Sequence, residues 1–149
     1  MNIPTGFNSQ AFIEMIRARV METLIQALEI LEMECKATVP IDTGELYRSI
    51  HTEGPEWVSF FWIKGRVAAG TPQAVFTEHG TRAHGPVFAK VMHFVTKDGT
   101  EVFAKWVRGV EAMHWMRNAT DKAFPMITRL FTALQTELNA TIIVTKTTP

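Results

Sequence analysis

The residues best suited to chemistry lie in one stretch, Ala74-Val75-Phe76-Thr77-Glu78-His79-Gly80-Thr81-Arg82-Ala83-His84-Gly85-Pro86. Glu78, His79, Thr81, Arg82 and His84 form a compact polar cluster there. A hydrolase built on it would use His79 as base, Glu78 or Asp42 to orient it, and Ser49 or Thr81 as nucleophile. A metal site would draw on His79, His84 and Glu78, but zinc wants three or four converging ligands, and the chain has no HExxH, CxxC or HxH spacing. It also lacks a GxSxG elbow and any glycine-rich phosphate loop. Cys35 falls on the apolar stripe of an amphipathic helix, which suits a small buried hydrophobe better than a nucleophile. No enzymatic role, cofactor or metal is therefore expected. The competing reading is an architectural loop, in which Arg82 holds a carboxylate across a subunit contact, pairs with Glu78 or is simply solvated.

The cluster must be positioned by what surrounds it. Alternation of Ala74, Phe76 and Glu78 with Val75, Thr77 and His79 predicts a strand. Gly80, Gly85 and Pro86 then open a loop. Upstream, Asn8 or Ser9 can cap a helix over residues 9–38, with Phe12, Ile16, Val20, Leu24, Leu28, Leu31 and Cys35 on one face and Pro40 as its stop. At 1.5 Å per residue it is roughly 45 Å long, so an overhang or a neighbouring chain is expected. Asp42-Thr43-Gly44-Glu45 predicts a tight turn, with Asp42 and Glu45 at capping-box spacing.

Residues 46–104 predict β-structure. Strands are expected over 47–53, ending at Gly54-Pro55, and over 57–64, followed by a turn at Gly65-Arg66 into Val67-Ala69 or by a bulge at Lys64-Gly65. Lys97-Asp98-Gly99 predicts a hairpin between residues 91–96 and 100–105. Residues 106–117 show no period. A terminal helix capped by Asn118 or Thr120 carries Phe124, Ile127, Leu130, Phe131, Leu134 and Leu138, with Pro125 either kinking it or starting its main part. Thr141–Val144 predicts an edge strand, and residues 1–8 and 145–149 an irregular arm and tail. The expectation is one α+β domain over 1–149: a long N-terminal helix and a C-terminal helix packed on a twisted antiparallel sheet.

Bulk properties narrow the partner. Fifteen basic residues balance fifteen acidic ones, which argues against a phosphate backbone as the main ligand and against a nucleic-acid-binding module. One cysteine allows no internal disulfide, and no signal peptide or membrane-length apolar run is visible, so synthesis in a cytoplasm is expected. Trp57, Trp62, Trp106 and Trp115 suit core or interface anchors better than a base-stacking platform.

Three segments taken together resemble a known family. Val39-Pro40-Ile41-Asp42-Thr43-Gly44-Glu45-Leu46-Tyr47-Arg48-Ser49-Ile50, then Val75 to Pro86, then His114-Trp115-Met116-Arg117-Asn118-Ala119 occur in the order found in the tailed-bacteriophage tail-component family, the tail completion or head–tail joining proteins of the neck. Trp115 stands where that family usually has Phe, Asn118 where it has Pro, and His79 where an aromatic is common. The resemblance spans about residues 9–138. It implies a structural virion protein without catalysis, assembled as a cyclic homo-oligomeric ring, most often sixfold. Such a ring joins the head connector to the tail, with DNA at most passing through its lumen and no membrane involved. The alternatives are a tail terminator capping the tube or, from another class, a small metal-dependent hydrolase. On this reading Asp42, Thr43, Gly44, Glu78, His79, Gly80, Thr81, Arg82, Trp115 and Arg117 are loop or interface residues.

Overall fold

The structure, a computed structural model, describes residues 8–147, with side chains through Ile142. The expected arm at 1–7 and the last two residues of the expected tail lie outside that range. Helix α1 (Ser9–Thr38) starts where its cap signal places it, the Asn8 side chain accepting the Ala11 N–H at 3.1 Å. It ends at Val39, extended as a residue before proline must be, with its N–H returned to the Cys35 carbonyl at 3.0 Å. One helical turn, α2 (Glu45–Ser49), leads into the antiparallel pair β1 (Ile50–Ser59) and β2 (Trp62–Ala69). Then follow α3 (Gln73–His79), the hairpin β3 (Met92–Val95) and β4 (Glu101–Ala104), and α4 (Trp115–Thr147).

Helix α1 is the centre of the molecule. The β1–β2 hairpin and α4 both pack along it. Arg19 meets Glu137 while Cys35 and Ala119 share a core cluster, so α1 and α4 run antiparallel. Ala27, Ala119 and Ala123 are buried, small enough for two helices to approach closely. Toward the hairpin, Arg17 stacks on the Trp57 ring at 4.0 Å and donates to the Phe60 carbonyl at 2.7 Å. Nearer the C-terminal end, the Thr52 hydroxyl donates to Glu32 at 2.5 Å. The α+β class is as expected, and the overlong helix acquires an equally long partner, α4, within its own chain.

Several elements differ from the sequence reading, each for an identifiable reason. Residues 74–79 form helix α3 and not a strand. Ala74 is buried and Thr77 and Glu78 half-buried, a spacing of three and four that a six-residue alternating pattern conceals. Pro72, with φ −58° and ψ −29°, starts this helix where Gly70-Thr71-Pro72 reads as a break. The first strand runs through Gly54-Pro55, where the register shifts, to Ser59. The chain reverses at Phe60-Phe61, two aromatics without a turn signature, and not at Gly65. Gly65 sits inside β2 because a Cβ there would come within 2.5 Å of Leu28 Cδ1. The expected sheet is two separate two-stranded ones, β1–β2 and β3–β4. The C-terminal helix begins three residues before Asn118, retains Pro125 inside it, and continues through Thr141–Val144. Extending an established helix adds a hydrogen bond for each residue fixed, which outweighs the strand preference of Thr-Ile-Ile-Val.

Candidate functional site

The three segments that carry the resemblance meet at one place. Val39, Leu46 and Ile50 of the first, Ala74 of α3 just before the second, and Trp115 and Ala119 of the third form a single buried cluster with Cys35 of α1. Trp115 is 1% exposed and is among the largest fully buried side chains. Its indole N–H donates to the Thr77 hydroxyl at 3.1 Å, and that hydroxyl donates to the Gln73 carbonyl at 2.8 Å. A buried tryptophan is thereby satisfied by a half-buried threonine one turn into α3.

Glu78 is the polar centre of this junction. One carboxylate oxygen accepts the Met116 N–H at 2.7 Å and the other accepts the Arg117 N–H at 3.2 Å. These are the second and third residues of α4, whose first amides have no partner within the helix. A carboxylate here both satisfies them and faces the positive end of the helix dipole. Glu78 thus caps a helix that begins 37 residues later, and neither Asn118 nor Thr120 does. The Glu78 and Thr77 carbonyls accept the His114 and Met113 N–H groups at 3.2 and 2.8 Å. His114 stands just outside the helix at φ 50°.

The loop after α3 closes on the same segment. Thr81 donates its N–H to the Val110 carbonyl at 2.8 Å, and its hydroxyl accepts the Val110 N–H at 2.9 Å. His84 and Val107 exchange backbone bonds at 3.1 and 2.9 Å. Gly80 adopts φ 71°, ψ 176°, a conformation essentially confined to glycine. A Cβ there would sit 2.7 Å from the Val110 carbonyl oxygen, and one at Gly109 would sit 1.8 Å from the Thr81 carbonyl oxygen. The two strips of backbone are in contact, with glycine on each side of the seam.

The Asp42-Thr43-Gly44 turn lies at the edge of this junction. Gly44 takes φ 76° ahead of α2, and the Thr43 hydroxyl accepts the Glu45 N–H at a long 3.4 Å. Asp42 does not form a capping box with Glu45. Its carboxylate pairs instead with Lys97 at the tip of the β3–β4 hairpin. Between them an open groove of about 540 Å³ is lined by Asp42, Gly44, Gln73, Thr77, Lys97 and Met113, among others.

The remaining candidates separate. Arg82 is exposed and makes no ion pair among the described residues, so the expected Glu78–Arg82 pair is absent. His79 and the Arg117 side chain are exposed. His84 Nδ1 lies 3.1 Å from the Arg82 carbonyl, and His93 stacks on Phe103 at 4.5 Å. The Ser49 hydroxyl donates to the Leu46 carbonyl at 2.8 Å. Among the described residues no group of three or more His, Cys, Asp or Glu is placed to hold a metal ion. The Cys35 thiol is pushed up to about 11, first by burial and then by Glu78, Glu32 and Glu34, which leaves it protonated and a poor nucleophile. Thr77, Gly109 and Lys97 escape sequence reasoning, because their roles depend on partners 28 to 55 positions away: Trp115 for Thr77, Thr81 for Gly109 and Asp42 for Lys97. No family model, curated protein or solved structure matches the chain.

Proposed function

We propose that this chain is a structural protein of the tailed-phage neck, a ring component that joins the head connector to the tail. The observation that carries the reading is the convergence of the three resembling segments on one junction, with Glu78 of the second capping the helix that opens in the third. Such a junction sets the relative position of α1, α3 and α4, which is an architectural task. Surface area supports the same reading. Phe61, Trp62, Phe88, Phe103, Trp106 and Phe124 are all exposed, a load of aromatic surface that suits contacts with other subunits.

In a closed ring each contact is heterologous, one face of a subunit meeting a different face of the next. The test is genetic. Removing the chain from a phage that encodes it should leave filled heads and finished tails that fail to join. Joined, infectious particles without it would refute the proposal. Tails of uncontrolled length would assign it instead to capping the tube.

A further inference from the structure

The β3–β4 hairpin and its flanks form an arm over residues 84–107 that is anchored at its base. There His84 and Val107 exchange backbone bonds, and Thr81 and Val110 bond just behind them. Gly80 and Gly109 let the two strips of this seam touch.

Beyond the base the arm closes on itself. Among the described elements, β3 and β4 pack substantially only on each other. Phe88 is fully exposed, and Val87, Val95, Phe103 and Trp106 by more than half, so apolar burial does little to seat it. Its polar contacts are internal too. The Thr96 and Thr100 hydroxyls both donate to Asp98 at the turn, and His93 stacks on Phe103 beside Glu101. Among the described residues, a single hydrogen bond or ion pair joins residues 85–106 to the rest of the chain. Lys97, at the tip, meets Asp42.

That tie reaches across a groove. The open space of about 540 Å³ is lined by the Asp42–Gly44 turn, by Gln73 and Thr77 of α3, by Met113 and by Lys97 itself. Thr77 also accepts the buried Trp115 indole N–H, so the arm's tip reaches the junction that sets α4. The tie is weak. Its two side chains are 71% and 70% exposed. An exposed pair biases an equilibrium by about fivefold at most, and salt weakens it further. A two-stranded hairpin is itself marginal in water, so little else opposes movement of the arm as a unit.

We infer that the arm is a strap across the Asp42–Thr77 groove, closed by the Asp42–Lys97 pair and released when that pair is screened or lost. Release lifts Lys97 from the groove and lets the arm turn about its His84–Val107 base, opening the groove while the buried cluster stays intact. A strap of this kind goes beyond the ring role and requires no partner.

Spin labels on Ile41→Cys and Val95→Cys, exposed positions on either side of the tie, test it. The buried, protonated Cys35 stays unlabelled. The label-to-label distance distribution is measured at about 10 mM and about 1 M salt, between which the Debye length falls from about 30 Å to about 3 Å. High salt should lower the ratio of closed to open arm by about two- to fivefold. Lys97→Glu at low salt should lower it at least as much. Exchanging the charges, Asp42→Lys with Lys97→Glu, should restore the closed arm. Melting temperature should stay unchanged throughout, because neither side chain is packed. A distribution indifferent to salt and to charge reversal would mean that packing seats the arm, and would overturn the inference. An arm already open at low salt, or a charge exchange that fails to close it, would do the same. A melting temperature that falls with Lys97→Glu would make the arm part of the cooperative fold, which also overturns a strap.

Discussion

Glu78 spans two segments 38 residues apart and holds both leading amides of α4 that its carboxylate can reach. Removing it leaves the half-buried Met116 N–H without a partner. Caps of this kind contribute about 0.5–2 kcal/mol, and an unsatisfied buried amide costs about 1–3 kcal/mol. Glu78→Ala should therefore lower stability by about 1–3 kcal/mol, seen as a fall in melting temperature of about 2–10 °C for a domain of this size. Glu78→Gln keeps one good acceptor and should lose less. An unchanged melting temperature for the alanine variant would mean that solvent caps α4 equally well. Cys35 gives a second residue-level expectation. With its thiol pushed up to about 11 by burial, it should resist alkylation at pH 8 in the folded protein and react promptly once the protein is unfolded. Mass spectrometry of the alkylated product distinguishes the two.

At the scale of elements, the contact between α1 and β1 depends on Glu32. Its carboxyl is held below the usual carboxylate range, first by the hydrogen bond from Lys36 and then by that from Thr52. A depressed folded value stabilises the fold fully above the unfolded value and loses that contribution as pH falls through the folded one. The stability difference between the native protein and Glu32→Gln should thus be present at neutral pH and shrink below about pH 4. Denaturant midpoints measured at both pH values check it; a difference independent of pH would assign the effect to packing. Elements with long periodic patterns were readable in advance. The stripe from Phe12 to Cys35, with a cap at Asn8 or Ser9 and a stop at Pro40, locates α1, and Asp98-Gly99 locates the β3–β4 turn. What escaped reading was set by distant partners. Gly65 reads as a turn but is glycine because Leu28 lies against it. Residues 74–79 read as a strand because their helical partners, Met113 to Arg117, are remote in sequence. The start of α4 was misplaced because its cap comes from another helix. The polar cluster was visible in the sequence as a cluster, and a solvated Arg82 was one of its readings, but the capping of α4 by Glu78 was not visible.

For the whole molecule, the decisive feature is how little of its apolar surface the chain covers itself. Among the described residues eleven hydrophobic ones are buried, while 23 large ones stay exposed, so the fold is organised around a junction and one helix pair rather than a deep core. That balance suits a subunit completed by its neighbours, and it makes position in an assembly the property to measure. The most direct test is cryo-electron microscopy of intact particles from a phage that encodes this chain, with the chain located by a bound antibody fragment. The account predicts a closed ring of copies at the junction of head connector and tail. Density confined to the head shell or the tail tip, or particles that lack the chain altogether, would contradict it.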